Sequence, residues 1–273
     1  MIINGLNYHY IEAGQSLSNA LVMLHGFTGS TSTWQSFFEP LAKHYHVIAI
    51  DLPGHGLTDS PPSPQRYAMQ HVAHDITEII RRLHPVGDVH LLGYSMGGRL
   101  ALYTAIHFAA LCRSLALESA SPGLKDASAR EARKNADNRL ADWIEQVGIL
   151  EFVNYWETLP LFETQQRYPE RLANLRAQRL RNNPTGLANS LRGMGTGAQM
   201  PLWSKLSDCK LPTLLITGEQ DAKFHSIAID MARQLTNASH VNTPNAGHTV
   251  HFEEPNRFLD DIMTFVGRFR STQ

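Results

Sequence analysis

Leu92-Gly93-Tyr94-Ser95-Met96-Gly97-Gly98-Arg99 is the stretch on which the reading of the fold turns. A short apolar run, 89–92, leads into it, and a strongly apolar segment of helical character, 99–110, leads out. Small residues two before and two after the serine let the backbone turn tightly and hold the hydroxyl clear of a sheet edge. GxSxG alone occurs by chance in many sequences; the strand-turn-helix setting makes Ser95 the predicted reactive group.

The same rhythm extends in both directions. Upstream, 20–24 is apolar and ends at His25-Gly26, 34–45 carries Trp34, Phe37, Phe38 and Leu41 at helical spacing, and 47–50 runs into the turn-rich Asp51-Leu52-Pro53-Gly54-His55-Gly56. The segment 69–83 places Val72, Ile76, Ile79, Ile80 and Leu83 on one side of a helix. Downstream, 114–117 reads as a further buried strand. Strands alternating with helices predict a mostly parallel sheet covered by helices. From 122 to 200 the pattern changes to amphipathic helices rich in Arg, Asn and Gln with no convincing strand, which predicts a helical cap. The α/β alternation resumes with strand 211–217, helix 227–235, strand 239–242 and helix 255–269. The expected organisation is one structural domain, with a core of 1–121 and 201–273 and a cap of 122–200.

The chain has 273 residues, 42% of them hydrophobic, enough for one large core. Its 24 basic and 25 acidic side chains leave a formal charge of −1, so no global field draws it to nucleic acid or an anionic membrane. A small-molecule partner is expected, and a monomer is favoured. Cys112 and Cys209 form no CxxC pair or zinc pattern, which fits a reducing compartment. Residues 1–10 lack the basic start and apolar run of a signal peptide, and no apolar stretch is long enough to span a bilayer. These features predict a soluble cytoplasmic protein.

A serine hydroxyl needs a base to react near neutral pH, and a histidine needs an acceptor that fixes its tautomer. In this architecture the partners lie at strand ends in the order Ser, acid, His. Asp221 follows strand 211–217 in Gly218-Glu219-Gln220-Asp221, and His248 follows the last short strand in Asn245-Ala246-Gly247-His248. Glu219 is the nearest rival acid and His251 the nearest rival base. Other histidines, His71 and His74 among them, are read as surface residues. Negative charge formed in the reaction needs preorganised N–H donors, here the amides of Met96, after the nucleophile, and of Phe27, in the loop after His25-Gly26.

Taken together, His25-Gly26-Phe27-Thr28-Gly29-Ser30, Asp51-Leu52-Pro53-Gly54-His55-Gly56, Gly93-Tyr94-Ser95-Met96-Gly97-Gly98-Arg99 and Gly218-Glu219-x-Asp221-x-Lys223-Phe224 resemble the 2-succinyl-6-hydroxy-2,4-cyclohexadiene-1-carboxylate synthases of menaquinone biosynthesis. The likeness runs nearly end to end. It implies an α/β-hydrolase fold with a helical cap inserted after the sixth strand, and a lyase reaction that eliminates pyruvate from 2-succinyl-5-enolpyruvyl-6-hydroxy-3-cyclohexene-1-carboxylate. Neither metal nor organic cofactor is implied. A substrate with three carboxylates calls for local cations, preferably Arg. The resemblance points to Arg99, four residues after Ser95, and to Arg133 in Arg130-x-x-Arg133 of the cap. It also points to Arg179 in preference to Arg181 of Arg179-Leu180-Arg181-Asn182-Asn183. Trp156 resembles an aromatic packed over the ligand, Tyr94 is expected to line the pocket, and Lys223 either meets the substrate or serves the Asp221 loop. Other cap arginines are expected to pair with acids such as Glu131 and Asp137 on solvated faces. The same serine, histidine and acid would also suit a carboxylesterase or carbon–carbon bond hydrolase working through an acyl-serine, and the fold can serve as a non-catalytic ligand-binding protein.

Overall fold

Runs of apolar residues too short for a helix become the inner strands of one twisted sheet. The computed structural model describes residues 1–269, so the last four residues of the 201–273 segment lie outside the described residues. Its first strands, β1 (Ile2–Ile3) and β2 (Leu6–Asn7), form a small antiparallel pair of their own. Seven strands build the main sheet: β3 (Tyr10–Ala13), β4 (Asn19–Leu24), β5 (His46–Ile50), β6 (Asp88–Tyr94), β7 (Ser114–Glu118), β8 (Thr213–Gly218) and β9 (Ala238–Thr243). They lie in the order β3-β5-β4-β6-β7-β8-β9. Strand β3 runs antiparallel to β5 and the other pairings are parallel.

The antiparallel edge is not anticipated by the sequence reading, which starts its strands at residue 20. Strand β3 is half-buried along its whole length, so it has neither the continuous apolar run of an inner strand nor a clean alternation. The strand count also changes the placement of the helical insertion, which follows β7, the fifth strand of the main sheet and not the sixth. Only β3 precedes β4 in this sheet, because β1 and β2 pair off it.

Helices α1 (Gln35–Ala42), α2 (Met69–Leu83) and α3 (Met96–His107) connect the first strands. After β7 come α4 (Ala127–Trp156), which is broken at Gly148 (φ 79°, ψ 177°), α5 (Pro169–Arg179) and α6 (Pro184–Met194). The chain closes with α7 (Ala222–Ala232), α8 (Val250–Glu253) and α9 (Pro255–Gly267). The period-two alternation of β4 explains the layering: Ala20, Val22 and Leu24 face a core completed by α2, α3 and α7, whereas Leu21 and Met23 face one completed by α1 and α9. A smaller cluster, including Ile144, Phe152 and Leu187, holds α4 to α6. Two predicted helices start earlier than expected. Helix α3 begins at Met96 because Gly97 and Gly98 pack within it, and α7 begins at Ala222 because Asp221 caps it, accepting the Phe224 N–H at 3.2 Å.

The loop after β5 is fixed from below by two buried histidines. His25 Nε2 accepts the Leu52 N–H at 3.0 Å while its Nδ1–H donates to the Gly26 carbonyl at 2.8 Å. His55 Nδ1–H donates to the Pro53 carbonyl at 3.1 Å. Burial keeps both rings neutral, lowering the His25 pKa and taking that of His55 down to about 3. Unfolded, His55 binds a proton below its ordinary pKa of 6.5, whereas the folded state does not, so stability is lost as pH falls from 6.5 toward 3. Urea unfolding of His55→Gln should therefore show a shallower loss over that window, by up to about 1.4 kcal/mol per pH unit. A slope equal to that of the unsubstituted protein would show that the His55 ring ionises in place.

Candidate active site

Ser95 sits between β6 and α3 at φ 49°, ψ −105°, a conformation costly for any residue with a side chain. Neighbouring groups hold it there. Its N–H donates to the Glu118 carbonyl at the end of β7 at 2.8 Å, and its carbonyl accepts the Arg99 N–H at 3.0 Å. The glycines around it answer a space constraint: a Cβ on Gly97 would lie 2.2 Å from the Leu24 carbonyl oxygen, and one on Gly93 would lie 2.4 Å from that of Gly97.

His248 Nε2 lies 3.1 Å from Ser95 Oγ, and His248 Nδ1 lies 2.6 Å from Asp221 Oδ2. A carboxylate can only accept, so Nδ1 carries the proton and Nε2 is left as an acceptor facing the serine hydroxyl. The histidine and the aspartate are both buried. Their loops meet backbone to backbone, since a Cβ on Gly218 would fall 2.1 Å from the Gly247 carbonyl oxygen. Both rivals are engaged elsewhere. Glu219 accepts the Asn245 N–H at 3.1 Å, and His251 Nδ1 is 2.8 Å from the fully buried carboxylate of Glu118.

Above the serine lies a cavity of about 190 Å³. Phe27, Tyr94, Met96, Trp156, Phe162 and Phe224 form its apolar walls. Three aromatic rings surround His248: Phe224 at 4.5 Å, Tyr94 at 5.6 Å and Phe162 at 6.3 Å between centroids. Burial, reinforced by the nearby Glu118 carboxylate, raises the Tyr94 pKa and keeps that phenol protonated. Met96 is the first residue of α3, where backbone N–H groups have no intrahelical partner. Phe27 follows β4 in a turn closed by the Gly29 N–H on the Gly26 carbonyl at 3.0 Å.

The cations divide between two places. Arg99, Arg133 and Lys223 line the Ser95 cavity. Arg99 is buried, donating to Gln199 Oε1 at 2.9 Å and to the Met194 carbonyl at 2.8 Å. Burial and the neighbouring Arg133 lower its pKa to about 10, which still leaves it charged at neutral pH. Arg133 is paired with Asp137 at 2.7 Å and is partly exposed, so one of the acids expected to serve bystander arginines serves a site arginine. Lys223 lies at the exposed rim, 5.4 Å above the Phe224 ring.

Arg179 is not brought into this cavity. It lines a second one of about 550 Å³ that shares Phe27, Tyr94 and Phe162 with the first, and it pairs with Glu157 at 3.1 Å. Arg181 is exposed. Sequence reasoning also misses Ser119, Ser121, Ser190 and Thr196 of the cavity wall, as well as Gln199 behind Arg99. Gln199 lies 100 residues from its partner, and no local pattern signals such a pairing. Among the described residues no cluster of His, Cys, Asp or Glu is arranged to hold a metal ion, and no helix is long and apolar enough to cross a membrane.

Comparison with known proteins extends these observations. Residues 19–255 match the alpha/beta hydrolase fold family. A Bacillus subtilis (strain 168) protein provisionally named 2-succinyl-6-hydroxy-2,4-cyclohexadiene-1-carboxylate synthase is 43% identical over 97% of this chain and 96% of its own length. The Salmonella paratyphi C (strain RKS4594) protein of the same name is 33% identical over 91% of this chain and 94% of its own length. Among solved structures, MenH from S. aureus superposes with a TM-score of 0.91 at 37% identity, covering 96% of this chain and 98% of that one. A thermophilic esterase from Thermogutta terrifontis, at 24% identity and a TM-score of 0.84, shares the fold.

The contact of Gly97 with Leu24 predicts that Gly97→Ala destabilises the protein by about 1–3 kcal/mol, the usual cost of overpacking, read by urea denaturation. A loss below about 0.5 kcal/mol would show that the elbow has room to relax.

Proposed function

Since the chain belongs to the α/β-hydrolase fold family and, within it, to the 2-succinyl-6-hydroxy-2,4-cyclohexadiene-1-carboxylate synthases, we propose that Ser95, His248 and Asp221 perform the elimination that gives that product. The reaction removes pyruvate from 2-succinyl-5-enolpyruvyl-6-hydroxy-3-cyclohexene-1-carboxylate. The observation that carries the assignment of roles is the hydrogen-bonded chain from Ser95 Oγ through His248 to Asp221, whose first two members line a cavity with a buried arginine, Arg99.

Ser95 acts as a base instead of an acylated nucleophile. As His248 Nε2 draws off the hydroxyl proton, Ser95 Oγ takes the ring proton next to the succinyl carbonyl, and the electron pair moves onto that carbonyl oxygen. The N–H groups of Phe27 and Met96 stabilise the enolate. Its collapse forms the new ring double bond and breaks the carbon–oxygen bond to the enolpyruvyl group, which departs, gains a proton and becomes pyruvate. Asp221 holds the imidazole and balances the charge it acquires.

Arg99 suits a substrate carboxylate because its present partners are neutral oxygens, so an anion gains a full charge-assisted contact. Arg133 reaches a second carboxylate from the cap, with Asp137 orienting its guanidinium. Trp156 and Tyr94 close over the ring, Lys223 meets substrate at the rim, and Arg179 contributes from the neighbouring cavity. The enzyme works as a cytoplasmic monomer on this small tricarboxylate, without nucleic acid, membrane or cofactor.

Pyruvate release from the enolpyruvyl substrate tests the reading. Ser95→Ala should abolish it. Arg99→Ala and Arg133→Ala should each cost about 2–4 kcal/mol in kcat/KM, roughly 30-fold or more. No pyruvate from the unsubstituted enzyme, together with rapid ester turnover, would instead assign a carboxylesterase.

A further inference from the structure

Two amide groups flank the base histidine, and both are held by one carboxylate. Glu253 Oε2 accepts the Gly247 N–H at 2.8 Å, and Glu253 Oε1 accepts the Thr249 N–H at 3.3 Å. The bracketed residue is His248, whose ring must satisfy two distances at once, 2.6 Å to Asp221 and 3.1 Å to Ser95. We propose that Glu253 is a positioning residue for the reaction, a buried carboxylate clamp that fixes the backbone on both sides of His248 and so keeps its Nε2 on Ser95. The proposal rests on His248 acting as the base.

Three observations support a role beyond closing the short helix α8. First, Glu253 is only 2% exposed, and among the described residues no Lys, Arg or His lies within ion-pair distance of its carboxylate. Burying an uncompensated acid is costly, and burial together with Glu118 raises its pKa. Hydrogen bonds from fixed amide dipoles recover part of that cost, so the side chain is anchored firmly to these two donors. Second, the segment it braces has no regular structure. Between the end of β9 at Thr243 and the start of α8 at Val250 the chain passes through Asn245 at φ 62°, and the amides of Gly247 and Thr249 are not spent in a ladder. Third, the backbone that carries this side chain is tied to the cap. Arg171 Nη1 donates to the backbone carbonyls of Phe252 at 2.9 Å and Glu253 at 3.2 Å.

Glu253→Gln is the informative substitution. It keeps size and burial but replaces one acceptor oxygen by an NH2 group, which must then face an amide N–H donor to donor. Two quantities are read: kcat and KM for pyruvate release, and the low-field proton NMR resonance of the His248 Nδ1–H. The expected result is a kcat lowered about tenfold or more with KM within about twofold, and a low-field resonance broadened by faster exchange. A residue serving only the fold would change neither the kcat-to-KM split nor that resonance. A kcat within about twofold of the unsubstituted enzyme overturns the proposal, as does a resonance that stays sharp whatever happens to kcat. Should Glu253→Gln not fold, Glu253→Asp, which keeps the charge but withdraws the oxygens by one methylene, is read by the same measurements and the same criteria. Absence of pyruvate from the unsubstituted enzyme would instead count against the assigned reaction, while the resonance still tests the clamp.

Discussion

A serine held at φ 49° between a strand and a helix is the constraint from which the geometry of the site follows. That conformation costs on the order of 1–3 kcal/mol and persists only where its surroundings over-determine it. Here the surroundings are the sheet itself. The Ser95 N–H crosses to the Glu118 carbonyl of β7, and α3 can start immediately after the serine only because Gly97 lies against the end of β4. The same sheet edge then sets the partners. Strand β8 lies beside β7 and β9 beside β8, all parallel, so the loops that leave β8 and β9 deliver Asp221 and His248 to one side of Ser95. Glu118 links the two halves a second time, because its carboxylate holds His251, three residues past His248.

Charge is distributed around that centre in a way net charge conceals. A chain with a formal charge of −1 carries three arginines near its cavities, two buried and one exposed, each handled differently. Arg133 and Arg179 are paired with Asp137 and Glu157, which reduces the cost of holding them and also the field they present to a ligand. Arg99 has no carboxylate within ion-pair distance among the described residues and is held by neutral oxygens. Its charge is therefore the one least spent inside the protein, and its helix also carries the amide of Met96. A tricarboxylate gains most where a cation is already desolvated and fixed, since the ordering cost has been met in folding.

What the sequence discloses and what it conceals divide along physical lines. Inner strands are legible because burial on both faces demands unbroken apolar runs such as Leu21-Val22-Met23-Leu24, and the elbow is legible because a tight turn demands small residues at fixed offsets. The edge strand β3 escapes because half-burial imposes no such demand, so one of the five main-sheet strands ahead of the cap goes unread. Interior histidines escape for another reason. His25 and His251 are buried, but what holds them there is a hydrogen bond to a partner brought close only by the fold. Arg179 shows the limit of motif reading from the opposite side: the resemblance points to it as a ligand of the substrate, yet it lines a neighbouring cavity that shares Phe27, Tyr94 and Phe162 with the one above Ser95.

The cap binds to each loop on which the chemistry depends, and this bears on why a hydrolase framework can run an elimination. Asn182 donates to the Thr28 carbonyl beside Phe27 at 2.9 Å, Gln165 donates to Thr249 beside His248 at 2.7 Å, and Arg167 reaches both the Asn245 carbonyl and Gln220 near Asp221. Aromatic side chains fill the space between these ties, with Trp156 5.3 Å from Phe27 and 5.4 Å from Phe162. An acyl-serine enzyme must admit water to finish its cycle, whereas the proposed elimination needs none. For that reaction the aromatic walls beside Ser95 are an advantage: they strengthen the pull of the fixed N–H groups on the enolate oxygen and leave less room for the water that would divert a serine, histidine and aspartate toward hydrolysis.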